Sequence, residues 1–242
     1  MNGRLLATAA TTGAALIAVA HAGPAVTSWP ALRRRTMPGL SGIGDPGHVA
    51  LTFDDGPHPQ ATPRLLEVLD RHAVRATFFM LGSQALKYPG AARLVAAAGH
   101  EIALHGHEHH LLLRRGAAAT YDDLRRGRDA LADVLGTVPT WWRPPYGALT
   151  TPALLAVGRL GLRPVLWTAW GRDWTATATR ESVIRTVSRS LRGGGTVLLH
   201  DSDVTAAPGC WQATLAAVPA LIEHCQGRGW SVGPLADHGI RS

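Results

Sequence analysis

From Val49 onward, short apolar runs alternate with amphipathic stretches, and turn-forming residues follow each apolar run. The apolar runs predict strands over 49–53, 76–81, 101–104, 140–142, 164–168, 196–199 and 230–232. The stretches between them read as helices with recognisable ends. Thr62 before Pro63 opens one, Gly99 closes another, Thr120 with Asp123 has the spacing of a capping box, and Gly136 and Gly161 end two more. Strand and helix alternating in this way predict a parallel sheet with helices outside. Seven such units in about 190 residues predict an α/β fold, a distorted (β/α)7-type barrel that is TIM-barrel-like.

The chain before Val49 follows a different pattern. Its first residues carry one cation, Arg4, then an Ala/Leu-rich run from Leu5 to Ala20 and the small-residue triplet Ala20-His21-Ala22. This predicts a signal peptide over 1–22, with an uncleaved N-terminal anchor as the alternative. Thr8, Thr11 and Thr12 make the run only weakly apolar for a membrane span. Residues 23–46 are rich in Pro, Gly and Arg without a period, which predicts a linker, and Arg33-Arg34-Arg35 within it reads as a solvated charge run. Residues 47–242 then form one domain, a length that a single α/β barrel accommodates.

Composition narrows the function classes. With 46% hydrophobic and 17% charged residues the chain can bury a full core, which excludes a disordered protein. Lys and Arg total 24 against 17 Asp and Glu, so the protein is drawn to anionic surfaces such as a cell wall. The basic residues are scattered, with no stripe and no recognisable module, which argues against nucleic acid. No protein partner is inferred. The two cysteines, Cys210 and Cys225, leave open a disulfide, which export would permit, or a pair of buried thiols.

In barrels of this type catalytic groups project from the C-terminal ends of the strands. Those positions here hold Asp54 and Asp55 after the first strand, His105 after the third, Arg143 after the fourth, Asp173 after the fifth, and His200 with Asp201 after the sixth. Any one of them alone reads as a structural residue; together at one rim they read as a site. His105 and His109, four apart, share a face of a helix or tight loop, and Asp55 from another strand completes a set of three metal ligands with positions left open. The alternative is that the HGHEHH run is a solvated polar loop, and His107 and His110 are read as solvated or as groups behind the ligands. The zinc-protease motif HExxH is absent, because Leu111 stands where its second histidine belongs. Adjacent carboxylates at a strand end diverge, so one of Asp54 and Asp55 can bind metal while the other acts as base on water. A serine hydrolase is excluded by the lack of a GxSxG elbow.

Five segments carry a family resemblance: TFDDG at 52–56, GHEIALHGHEH with His105 and His109, RPPYG at 143–147, RDW at 172–174 and LLHD at 198–201. In this order they resemble the motifs of the polysaccharide deacetylase family, the NodB homology domain of carbohydrate esterase family 4, over roughly 49–235. The resemblance implies a distorted barrel that uses a divalent metal, usually zinc with cobalt or nickel as alternatives, to hydrolyse acetamides on sugars. It implies Asp55, His105 and His109 as metal ligands, Asp54 as base and His200 as the acid that protonates the departing amine. Arg143 orients the base, Asp173 pairs with His200, the backbone N–H of Tyr146 helps hold the oxyanion, and Trp174 and Leu198 line the acetyl pocket. Gly106 departs from the usual Ser or Thr after the first histidine, removing a hydroxyl that would brace the metal loop. Trp170 stands where an Asp is often found, which alters the groove.

The expectation is therefore a secreted or wall-associated enzyme acting on N-acetylglucosamine in peptidoglycan or chitin-type oligomers. An O-acetyl esterase on xylan-like glycan and a wall-binding pseudoenzyme are the alternatives. Of eight tryptophans, Trp141, Trp142, Trp167, Trp170 and Trp174 fall near the inferred rim, where a flat apolar face can stack on a sugar ring.

Overall fold

The computed structural model describes residues 18–240. Most of the expected N-terminal signal segment lies outside them, and among the described residues no helix is long and apolar enough to cross a membrane. Among the described residues eight strands form one sheet in which every pairing is parallel: β1 (His48–Asp54), β2 (Thr77–Leu81), β3 (Glu101–Gly106), β4 (Trp141–Trp142), β5 (Arg163–Pro164), β6 (Ala169–Trp170), β7 (Thr196–His200) and β8 (Ser231–Gly233). The order is β5-β4-β3-β2-β1-β7-β6, with β8 pairing the start of β1. The sheet curls into the expected barrel-like form, but β5 and β6 do not pair, so it stays open at one seam.

That seam explains the one strand that differs from expectation. The apolar run 164–168 does not form a single strand: β5 pairs with β4, β6 pairs with β7, and the stretch between them crosses the gap. Pro164 has no N–H to offer a further ladder step. Beyond it the backbone turns to other partners: Leu166 N–H donates to Leu40 O at 2.8 Å and Thr168 N–H to Thr196 O at 3.0 Å.

Leu40 belongs to the segment expected to be a linker, and the structure corrects that reading. Residues 23–28 form a 3-10 turn and Pro30–Thr36 form α1, which hydrogen-bonds through Arg33 and Arg34 to Trp167 O and Thr168 O at the seam. Arg33 is buried, donating to Thr27 O at 2.6 Å, Trp167 O at 2.8 Å and Ser41 Oγ at 3.3 Å, and Arg34 is half-buried, so only Arg35 of the triplet is solvated. The carbonyls of the crossing stretch need donors: Arg33 supplies one to Trp167 O, Arg34 one to Thr168 O and Arg143 one to Leu166 O.

The main helices cover the outside of the sheet: α2 (Ala61–Arg71), α3 (Gly82–Lys87), α4 (Pro89–Ala97), α5 (Ala117–Leu135), α6 (Thr151–Arg159), α7 (Arg180–Ser190) and α8 (Trp211–Gln226). The period-2 alternation sorts β1 into two faces. Val49, Leu51 and Phe53 join the large core under the helices, while Ala50 joins the smaller interior cluster with Phe79, Ala103, Trp141 and Val165. Thr52 and Asp54, on the interior phase, therefore point into the barrel. All of β1 is buried, as a central parallel strand should be.

Two local expectations change. Thr120 and Asp123 lie inside α5, whose N-cap is Gly116, so they form no capping box. Cys210 and Cys225 stand at opposite ends of α8. Fifteen residues at about 1.5 Å rise separate them by roughly 22 Å, far beyond disulfide reach. They are buried free thiols, and burial raises the pKa of both, Cys210 to about 12 and Cys225 to about 11.

Candidate active site

The C-terminal ends of β1, β3, β4, β6 and β7 converge on one cavity of about 220 Å³. Asp54, Asp55, His105, His109, Tyr146 and His200 line it, with Trp167, Trp170, Trp174 and Leu198 forming its apolar side.

Asp54 ends β1 on its interior phase and meets Arg143, which follows β4. Arg143 Nη1 donates to Asp54 Oδ1 at 2.6 Å and to Thr52 Oγ1 at 2.8 Å, and Nη2 donates to Leu166 O at 3.2 Å. The guanidinium is fully buried 3.9 Å over the ring of Phe79. It cannot swing away, so it fixes the orientation of Asp54.

Asp55 would point out of the barrel if β1 simply continued. Its φ of +75°, a conformation rare outside glycine, turns its carboxylate back into the cavity instead. Asp55 Oδ1 lies 3.3 Å from His105 Nε2 and 3.5 Å from His109 Nε2, and the three donor atoms lie within 4.8 Å of one another. Burial pushes the Asp55 carboxyl up, but the close approach and charge of His105, with the charges of His200 and His109, outweigh it and hold it below the usual carboxylate range. His105 donates from Nδ1 to Arg143 O at 2.9 Å, which leaves the Nε2 lone pair facing Asp55. His109 is held down to about 4, chiefly by burial and then by the charge of His105.

The residues present fit a divalent cation on the structure's own terms. Asp55 Oδ1 is buried without a hydrogen-bond partner, although two imidazole nitrogens converge on it. A buried carboxylate oxygen in that state needs a positive partner. Two His nitrogens and one carboxylate oxygen leave positions open, as in catalytic rather than structural sites.

His200 ends β7 across the cavity from Asp55, His105 and His109. Asp173, fully buried after β6, accepts the His200 backbone N–H at 2.7 Å, its Nδ1 at 3.0 Å and the Thr214 hydroxyl at 2.6 Å. Burial alone would lower the pKa of His200, but Asp173, helped by Asp55 and Asp54, pushes it up to about 10. Asp201, next along, turns away to accept from Thr62 at 2.5 Å; burial raises it to about 7.

Asp54, Asp55, His105, His109, Tyr146, Trp174, Leu198 and His200 thus line one cavity, with Arg143 and Asp173 buried behind Asp54 and His200, while Asp201 turns away from it. The rim tryptophans divide: Trp141 and Trp142 are buried core, while the other three line the cavity. His107, expected to be solvated or behind the ligands, is buried with Nε2 2.9 Å from Arg126, whereas His110 is half-buried with Nε2 3.8 Å from Asp123. Two members were missed. Thr205 donates to Asp55 Oδ2 at 2.5 Å, and Asp123 accepts the backbone N–H groups of His107 and Glu108 at 3.2 and 3.3 Å. Asp123 reaches that loop because Gly127, one turn later, has no side chain: a Cβ there would stand 2.7 Å from His107 N. Only the pairing of Thr120 with Asp123 hinted at its importance, and it pointed to the wrong role.

Comparison with known proteins fits this geometry. Residues 42–165 match the polysaccharide deacetylase family model. The chain is 34% identical over 194 residues to a chitooligosaccharide deacetylase of Azorhizobium caulinodans, spanning 77% of this chain and 92% of that one. Among solved structures it superposes on a peptidoglycan N-acetylglucosamine deacetylase with a TM-score of 0.77 at 28% identity, covering 84% of this chain and 92% of the other. It also superposes on a family 4 carbohydrate esterase from Streptomyces lividans, with a TM-score of 0.71, 31% identity, and coverage of 81% and 97%. The chain belongs to the polysaccharide deacetylase family and is a hydrolase of that class.

Proposed function

We propose that the protein removes acetyl groups from N-acetylglucosamine units of a wall or chitin-type polysaccharide, with a divalent metal, zinc by preference, held by Asp55, His105 and His109. The observation that carries this reading is the partnerless Asp55 Oδ1 facing two imidazole nitrogens, flanked by Asp54 on Arg143 and by His200 on Asp173.

An amide is a poor electrophile with a poor leaving group, so its hydrolysis needs a polarised carbonyl, an activated water and a proton donor. When bound, the metal supplies the Lewis acidity that polarises the acetyl carbonyl and acidifies water. Asp54, fixed by Arg143, takes the proton from the attacking water. The backbone N–H of Tyr146 donates to the oxygen that gains charge. His200, kept protonated by Asp173, passes its proton to the departing nitrogen as the C–N bond breaks, giving acetate and the free amine. Trp174 and Leu198 form an apolar seat for the acetyl methyl. The apolar start of the chain and its net charge of +7 support export to an anionic wall. Cell fractionation tests this localisation.

The function is tested by acetate release from the full chain, zinc-loaded, against chitin oligomers, peptidoglycan and acetylated xylan, each with and without a chelator. Chelator-sensitive acetate from an N-acetylated substrate is expected; release from xylan alone would move the assignment to an O-acetyl esterase. Asp55→Ala and His105→Ala are expected to lose metal and activity, and Asp54→Asn to keep metal but lose turnover. A fully active His105→Ala protein would overturn the reading.

A further inference from the structure

A second cavity of about 230 Å³ adjoins the first, and Tyr146, Trp167 and Trp170 line both. Its far wall is the N-terminal segment, which presents Ser28, Arg33 and Arg34. The groove at the reacting centre therefore continues past Trp170 into a compartment built by residues 28–34 and the seam of the barrel.

The charges in this compartment are unbalanced. Arg33 is 4% exposed, and all its hydrogen bonds go to neutral acceptors, two carbonyls and a hydroxyl. Arg34 is half-buried; its Nη2 donates to Thr168 O, and its Nε is buried without a partner. Among the described residues neither has a carboxylate within ion-pair distance, and the guanidinium behind Trp167, Arg143, is already committed to Asp54. No carboxylate lines the cavity. Burial, then the charges of Arg34 and Arg143, brings Arg33 down to about 10, which still leaves it cationic at neutral pH.

Holding a segment to carbonyl oxygens requires donors, not two net charges. Removing guanidinium groups from water without a counter-charge is costly, and the cost is recovered when an anion arrives. A planar fork with free donors matches a carboxylate. Trp170, 39% exposed between the two cavities, offers an apolar face to a sugar ring on the way there.

We propose that this compartment is a subsite for a carboxylate-bearing sugar, one that neighbours the N-acetylated unit being processed, with Arg34 as the contact to the carboxylate. The inference rests on the deacetylase reading and narrows its substrate class to glycans in which acidic sugars alternate with N-acetylglucosamine.

The test is titration calorimetry on zinc-loaded Asp54→Asn full chain with two tetrasaccharides. One is neutral chitotetraose; the other alternates N-acetylglucosamine with a carboxylate-bearing sugar. The acidic glycan is expected to bind about tenfold more tightly at low salt, with the preference shrinking as salt rises. Adding Arg34→Gln is expected to bring the two affinities within about threefold, Arg34→Glu to reverse the preference, and Arg34→Lys to retain most of it because the charge remains. The circular dichroism melt and zinc stoichiometry of each variant show whether it is folded. Equal affinity for the two glycans, or a preference that survives Arg34→Gln, would overturn the subsite. Absence of acetate release by the wild-type enzyme would overturn the deacetylase reading and leave this binding result standing; normal release with no acidic preference would overturn the subsite alone.

Discussion

Thr205 donates a 2.5 Å hydrogen bond to Oδ2 of Asp55, while Oδ1 of the same carboxylate faces His105 and His109 without a hydrogen-bond partner. One oxygen is thus anchored and the other presented. Thr205→Val keeps the shape and removes the anchor, so metal affinity is expected to fall by about tenfold. Competition with a chromogenic chelator measures it, and an unchanged affinity would show that Asp55 is positioned by its backbone turn alone.

Arg143 and Asp54 form a buried pair at 2.6 Å. Removing one member of such a pair leaves an uncompensated charge, so Arg143→Met is expected to cost about 3–5 kcal/mol in metal-free protein. Adding Asp54→Asn to it should restore part of the loss. Urea unfolding of both variants decides this, and equal stability of the single and double mutants would count against the pairing.

The charge on His200 depends on Asp173. With a folded pKa pushed up to about 10 in metal-free protein, His200 is protonated at neutral pH, and the rate is expected to fall on the alkaline side as His200 loses its proton. A bound dication lowers this pKa in any variant, so the comparison between variants is the informative quantity. Asp173→Asn removes the largest raising influence, and the alkaline limb of kcat against pH is expected to move down by at least about one unit.

His238 is fully buried against His48, their Nδ1 atoms 2.8 Å apart, with Asp45 and Asp237 nearby. Burial, against partly opposing hydrogen bonds, brings its pKa from 6.5 down to about 4. The unfolded chain therefore takes up a proton first as pH drops below 6.5, and stability falls until pH 4, by about 3 kcal/mol in all. His48 and His100 shift in the same direction. Unfolding free energies at pH 7 and pH 5 should differ measurably, and His238→Gln should flatten the slope.

Gly106 departs from the hydroxyl residue usual in the family, and the structure shows why a simple reversion fails. Its φ is +130°, and a Cβ there would meet Glu108 O at 3.0 Å and Asp123 Oδ2 at 3.2 Å. Gly106→Ser is expected to destabilise by about 1–2 kcal/mol without raising metal affinity, because Asp123 already holds the loop's N–H groups. A tighter zinc affinity in that variant would contradict this.

Much of the site was legible in the sequence because a parallel barrel obliges the chain to place strand-end residues at one rim. Asp54, His105 and His200 lie at the C-terminal ends of their strands and Asp55 and Arg143 directly follow one, so locating the strands located them. Thr205 and Asp123 were not legible: one sits in a loop and the other inside a helix, and their partners are 150 and about 16 residues away. The linker reading failed for a related reason. Residues 23–46 carry no period because they are ordered by the seam's unpaired carbonyls, not by an apolar face of their own.

Alternation of apolar runs with amphipathic stretches, acting through short-range periodicity and turn chemistry, by itself determined the α/β class, the parallel sheet and the set of ionisable groups at its rim. Tertiary structure alone decided that the barrel stays open between β5 and β6, that α1 fills the gap, and that the two cysteines cannot meet. It also decided that one oxygen of Asp55 is buried facing two imidazoles without a hydrogen-bond partner. These outcomes depend on which distant donor satisfies which buried acceptor, a condition that no local pattern in the chain encodes.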